Sequence, residues 1–161
     1  KNTFYECENL TKLPQVEDFE DDYNVDFLEN IKELNYTFAK TGISEIDSNL
    51  FYKAENLEVM EYTFEGCKNL KFIQNETLFK KCINLKEFLH VFENTALEKI
   101  PYNLFETNKN LTDVSGAFSS TNITSIPEQL FENNKNKIQY KFYIYLQTFS
   151  NQKKKNCYEK P

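Results

Sequence analysis

The stretch Phe92-Glu-Asn-Thr95-Ala-Leu97-Glu-Lys-Ile100-Pro101-Tyr-Asn-Leu104-Phe105-Glu-Thr-Asn-Lys-Asn110-Leu111 holds the pattern that decides the fold. A step of 13 separates its two phenylalanines, and the same step extends both ways. Phe38, Phe51 and Phe64 precede at intervals of 13. Phe79 follows after 15, then Phe92, Phe105, Phe118 and Phe131 at 13 again. Upstream, Phe4 and Phe19 continue the series, so 10 of the 15 Phe share one register and read as a single aromatic column. A helix does not return to one face after 13 steps, and a strand alternates every two. A fixed long period of this kind means stacked structural repeats.

Two halves of equal length alternate. One runs from Phe through Cys or Thr to an aliphatic pair, as in Phe64, Cys67, Leu70, Ile73 and in Phe118, Thr121, Ile123, Ile126. The other carries Asn before an aliphatic, as in Phe51, Asn56, Leu57 and in Phe105, Asn110, Leu111. The unit is thus about 26 residues, stacked in about five coils. The aliphatic pairs Ile43/Ile46, Leu70/Ile73, Leu97/Ile100 and Ile123/Ile126 read as short parallel strands. Pro101 and Pro127 open short helical turns, where a missing N–H costs nothing. Asn30, Asn56, Asn84, Asn110 and Asn136 share one slot. Their amides are expected to bond the open backbone groups of the turn and of the adjacent coil.

These features divide the chain into an irregular first unit (1–37), regular repeats (38–137), a capping strand (138–149) and a polar tail (150–161). In the first unit, Glu17, Asp18, Glu20, Asp21 and Asp22 form an insertion. It lacks the spacing and the glycine of a calcium loop, so it reads as a solvated acidic loop. After Phe131 the pattern becomes period two: Ile138, Tyr140, Phe142, Ile144 and Leu146 alternate with polar or amphipathic residues. Such a strand covers the open end of a stack, or pairs with a second molecule and drives self-association.

The repeat string resembles that of the BspA-like leucine-rich repeats. Leu97-Glu-Lys-Ile-Pro101-Tyr-Asn-Leu-Phe105 and Ile123-Thr-Ser-Ile-Pro127-Glu-Gln-Leu-Phe131 carry the likeness, which spans roughly residues 4–137. The resemblance implies an α/β repeat fold, a curved leucine-rich-repeat solenoid with a parallel sheet on its concave side. It also implies an extracellular or cell-surface protein that adheres to host, matrix or neighbouring-cell proteins. A structural spacer, or a targeting domain of a larger surface enzyme, is the alternative. The insertion near 17–22, the lengthened step between Phe64 and Phe79, and the stretch 138–161 depart from the pattern.

The chemistry agrees with a binding role. A net charge of −6 without a basic block argues against nucleic acid, and Lys153-Lys154-Lys155 reads as a solvated end. No apolar run reaches the roughly 18 residues that a spanning helix needs, so no membrane span is expected. The chain opens at Lys1 without a signal-peptide pattern, as a trimmed segment of something longer would. The single His90 and four scattered cysteines form no nucleophile pair, cofactor loop or metal motif, so no catalytic, cofactor or metal residue is assigned. Cys7 and Cys67 occupy the slot held elsewhere by Thr41, Thr95 and Thr121. They stand two coils apart, so free thiols are expected; Cys82 and Cys157 have no evident partner. Asn-x-Thr sequons begin at Asn9, Asn35, Asn75, Asn110 and Asn122, most of them generated by the repeat itself.

Two columns remain as a candidate protein-binding face. Tyr36, Tyr62, His90 and Gly116 share one offset, and Glu33, Val59, Glu87 and Asp113 another. Stacking turns them into an aromatic stripe beside an acidic one, with Tyr36, Tyr62, His90, Glu33, Glu87 and Asp113 as its candidate residues. Amphipathic aromatics are enriched at protein interfaces. They also cover the flanks of sheets, so packing over the core edge is the competing role for these tyrosines.

Overall fold

A computed structural model describes residues 2–13 and 28–134, together with the backbone of 143–144 and 155–156. Strands β1 (Glu33–Asn35), β2 (Val59–Glu61) and β3 (Glu87–Leu89) form a parallel sheet in the order β1-β2-β3. Glu33 pairs with Val59, and Val59 with Glu87, so the step from coil to coil is 26 and then 28. The lengthened step before Phe79 is therefore absorbed without a register slip. Asp113 extends the sheet as an isolated parallel bridge to Glu87.

Each strand points one side chain inward: Leu34, Met60 and Phe88, continued by Val114. The backbone ladder then runs on past the strand. The N–H groups of Tyr36, Phe38 and Lys40 donate to the carbonyls of Glu61, Thr63 and Glu65. Those of Tyr62, Phe64 and Gly66 donate to Leu89, Val91 and Glu93, and those of His90, Phe92 and Asn94 to Ser115, Ala117 and Ser119. Left-handed residues four apart accompany this ladder: Tyr36/Lys40, Tyr62/Gly66, His90/Asn94 and Gly116/Ser120.

The phenylalanines stack as two columns, not one. Phe4, Phe38, Phe64, Phe92 and Phe118 follow one another at 5.6, 5.4, 5.5 and 5.8 Å between ring centres. Phe51, Phe79, Phe105 and Phe131 form the second column at 5.1, 6.2 and 5.6 Å. Equal spacing hides this alternation, because successive rings come from opposite halves of the coil. The columns touch edge-on at Phe51 and Phe64, 6.4 Å apart. Phe88 wedges between them, against Phe79, Phe92, Phe105 and Phe118.

The strands do not fall where the aliphatic pairs predict. Ile43/Ile46, Leu70/Ile73, Leu97/Ile100 and Ile123/Ile126 point inward from extended chain outside any strand. Single bonds such as Glu98 N–H to the Lys71 carbonyl tie this side together. Pairs three apart mark burial against the stack and lack the alternation of a strand. The segments opened by Pro101 and Pro127 are consecutive turns with hydrogen bonds three positions back, Leu104 N–H to Pro101 and Leu130 N–H to Pro127. A 3-10 turn at Glu132–Asn134 closes the last of them.

Asparagine amides stitch the coils. Asn56 donates to the Glu29 carbonyl at 2.8 Å, Asn84 to Glu55 at 2.9 Å and Asn110 to Ile83 at 3.1 Å, each reaching back one coil. The slot three after each column Phe from Phe38 to Phe131 is buried, whereas Cys7, three after Phe4, is exposed. Thr41, Thr95 and Thr121 donate there to the carbonyls of Phe38, Phe92 and Phe118. Cys67 donates to Phe38 at 3.1 Å from the same slot. Ala54, Cys82, Asn108 and Asn134 fill it in the other half, which gives Cys82 its place. Cys7, Cys67 and Cys82 are free thiols.

Strands β4 (Tyr143–Ile144) and β5 (Lys155–Asn156) form an antiparallel pair. β4 lies in the segment read as a capping strand and β5 in the one read as a tail. The rest of those segments, Phe19, the acidic insertion, Asn136 and Cys157 lie outside the described residues.

Candidate protein-binding face

The aromatic column starts where each strand ends. Tyr36, Tyr62 and His90 have φ of 55°, 53° and 52°, and Gly116 has 67°. A left-handed residue turns the chain off the strand while its N–H still meets the next coil. For residues other than glycine this conformation costs about 1–2 kcal/mol. Ring stacking offsets part of that cost. Tyr36 and Tyr62 lie 4.7 Å apart with planes 12° from parallel, and Tyr62 and His90 lie 4.7 Å apart at 6°. Such pairs contribute about 0.5–1.5 kcal/mol each. Tyr5 closes one end edge-on, 6.2 Å from Tyr36, and Lys40 lies over the Tyr5 ring. Gly116 closes the other. A Cβ there would lie 2.2 Å from His90 Nδ1, so the imidazole occupies the space a side chain would need.

The rings are half-buried, with edges open to solvent. Burial first, then Glu61 and Glu65, holds the Tyr36 hydroxyl above its ordinary pKa. The Tyr62 hydroxyl is raised by burial and by its neighbours Tyr36 and Glu93. His90 Nδ1 lies 2.7 Å from Glu93 Oε2.

The second column is in register as well: Glu33 beside Val59, Val59 beside Glu87, Glu87 beside Asp113. The structure thus brings all six candidate residues onto neighbouring columns. It adds Glu61, Glu65 and Glu93, which the spacing argument missed. Their signal was a fixed offset from the rings: Glu61 just before Tyr62, and Glu65 and Glu93 three after Tyr62 and His90. One column over, Glu58 stands between Lys32 and Lys86, with ion pairs of 3.7 and 2.5 Å. The Lys86 contact holds the Glu58 carboxyl below its usual range.

Cys67 and Cys82 are fully buried in the stack, and burial raises both thiols, Cys82 to about 12. Among the described residues no His, Cys, Asp and Glu group is arranged to hold a metal, and no helix is long and apolar enough to cross a membrane.

An array of stacked coils around paired phenylalanine columns defines a class, and solved structures identify it. The chain is similar to the APL1 leucine-rich repeat domain, with a TM-score of 0.54 and 23% identity over 65% of this chain. It is also similar to a chain of the Toll–Spatzle complex of Drosophila, with a TM-score of 0.50 and 22% identity over 68% of this chain. The fold is a leucine-rich-repeat solenoid. At these identities the likeness establishes the fold alone, and the chain spans 25% and 13% of the matched chains. No family model and no curated protein matches the sequence.

Proposed function

We propose that this chain is a non-catalytic protein-binding module of a secreted or cell-surface protein, with adhesion to host, matrix or neighbouring-cell proteins as its role. The observation that carries the reading is the Tyr36–Tyr62–His90 stack. Three amphipathic rings from three coils stand in one half-exposed row, beside a row of carboxylates. Rigid aromatics of this kind lose little conformational freedom on binding and anchor protein interfaces. The surface address and the BspA-like kinship rest on the resemblance of the repeat string. Leucine-rich-repeat neighbours support protein binding in general, and one of them was solved as a complex with Spatzle.

An array of extracellular and matrix proteins, probed with the soluble chain, tests the proposal. Reproducible hits are expected, weakened at least tenfold, about 1.4 kcal/mol, by Tyr36→Ala with Tyr62→Ala. The absence of any hit, or hits indifferent to the double variant, contradicts it.

A further inference from the structure

We infer that the outward face of the sheet takes a basic partner: an extended peptide segment whose arginine or lysine side chains cross the strands and meet Glu33, Glu61 and Glu87. This rests on the protein-binding reading and gives that partner a chemistry. Glu33 and Glu87 occupy one outward column of β1–β3, and Glu61 the next. None of the three has a cationic partner among the described residues, whereas nearby Glu58 takes up both Lys32 and Lys86. Lys32 and Lys86 turn to Glu58 and form no ion pair with Glu33, Glu61 or Glu87.

Asn35 supplies an independent sign. It is only 6% exposed and lies on the same face, in register with Glu61. Its Nδ2 donates to Glu33 Oε2 at 3.3 Å, while its Oδ1 is buried and accepts no hydrogen bond. A buried acceptor left without a donor costs about 1–3 kcal/mol. Carboxylates and an unfilled carboxamide oxygen make an array of acceptors. A guanidinium, all donors and no acceptor, complements it; a phosphate or carboxylate does not. Val59 and Leu89 lie half-buried in the same two columns. They offer apolar ground for the aliphatic stem of an arginine or lysine. Glu33 and Glu87 are two strands apart, ~10 Å. A polyproline II segment has three residues per turn and rises about 3.1 Å per residue, so basic side chains at every third position share one face, ~9 Å apart, and reach both.

The probe is a labelled peptide with arginine at every third position in a Gly-Ser background, read by fluorescence anisotropy at low and physiological ionic strength. A poly-glutamate peptide serves as the opposite charge. The chain is expected to bind the arginine peptide, more weakly at higher salt, and to ignore poly-glutamate. Glu33→Gln/Glu61→Gln/Glu87→Gln should weaken binding at least tenfold. Glu98→Gln/Glu128→Gln/Glu132→Gln changes the net charge equally away from the sheet and should weaken it less than twofold. No binding at low ionic strength, equal loss in both triple variants, or equal affinity for poly-glutamate overturns the inference. Array hits that depend on Tyr36 and Tyr62, without arginine-peptide binding, leave the protein-binding reading standing and overturn this one alone.

Discussion

Phe92→Ala removes an interior ring of the longer phenylalanine column. Phe92 is fully buried and faces Phe64 at 5.5 Å and Phe118 at 5.8 Å. It also touches Phe88 at 5.8 Å and Phe79 at 6.4 Å. Burying a phenylalanine contributes about 1.5–3 kcal/mol by area alone. The cavity left behind raises the loss for Phe→Ala to about 3–5 kcal/mol. Two stacked faces and two tilted contacts disappear together, so the upper part of that range is expected. Native domains hold only about 5–15 kcal/mol, which makes the loss a large fraction of the whole. Urea unfolding followed by circular dichroism gives the number, with the slope checked for constancy. Phe72→Ala is the internal comparison: this ring is 47% exposed and belongs to neither column, so its loss should stay below about 1 kcal/mol. A Phe92→Ala cost below about 1 kcal/mol, or one equal to that of Phe72→Ala, refutes the stacking argument.

Other outcomes follow from the same geometry. Asn108→Ala deletes two buried bonds, to the Phe79 and Cys82 carbonyls at 3.0 and 2.8 Å, and should cost about 1–3 kcal/mol in urea unfolding. Asn84→Ala, with one exposed bond to Glu55, should cost less than Asn108→Ala. Gly116→Ala places a Cβ inside the His90 ring position, so the imidazole carbon and proton shifts of His90 should move by NMR; unchanged shifts contradict the packing. Iodoacetamide should label exposed Cys7 in the native protein and spare Cys67 and Cys82 until denaturant is added. The raised Cys82 pKa fixes a sign: its ordinary value is 9.0, and the folded chain holds it near 12. Folding therefore favours the protonated thiol. That contribution is complete below pH 9 and is lost as pH rises from 9 towards 12. Cys82→Ala should flatten this alkaline decline in unfolding experiments; an unchanged decline contradicts it.

Much of the site was legible because columns depend only on repeat spacing. The offset shared by Tyr36, Tyr62 and His90 places them in one row without any knowledge of backbone angles. The Asn56, Asn84 and Asn110 slot was legible for the same reason: an amide recurring once per coil has a carbonyl of the previous coil to reach. Strand position was not legible. A strand as short as Glu33–Asn35 offers one inward apolar side chain, too short a run for a period-two signal. The louder Ile43/Ile46 and Leu97/Ile100 pairs report burial on the other side of the coil. The second phenylalanine column was hidden by equal spacing. The left-handed turn at Tyr36 and Tyr62 was hidden because bulky side chains rarely adopt it; His90 and Gly116 in the same row were the hint.

Coil-to-coil register underlies every column in this molecule, and engineered cysteines measure that register directly. Neighbouring coils stack at ~4.8 Å, inside the Cα range that a disulfide bridges, and alternate coils at ~10 Å, outside it. In a background with Cys7 and Cys157 replaced by serine, Tyr62→Cys with His90→Cys should oxidise to an intramolecular disulfide. Tyr36→Cys with His90→Cys should not. Equal cross-linking of the two pairs, or a bridge in the second pair only, would contradict the stacked column.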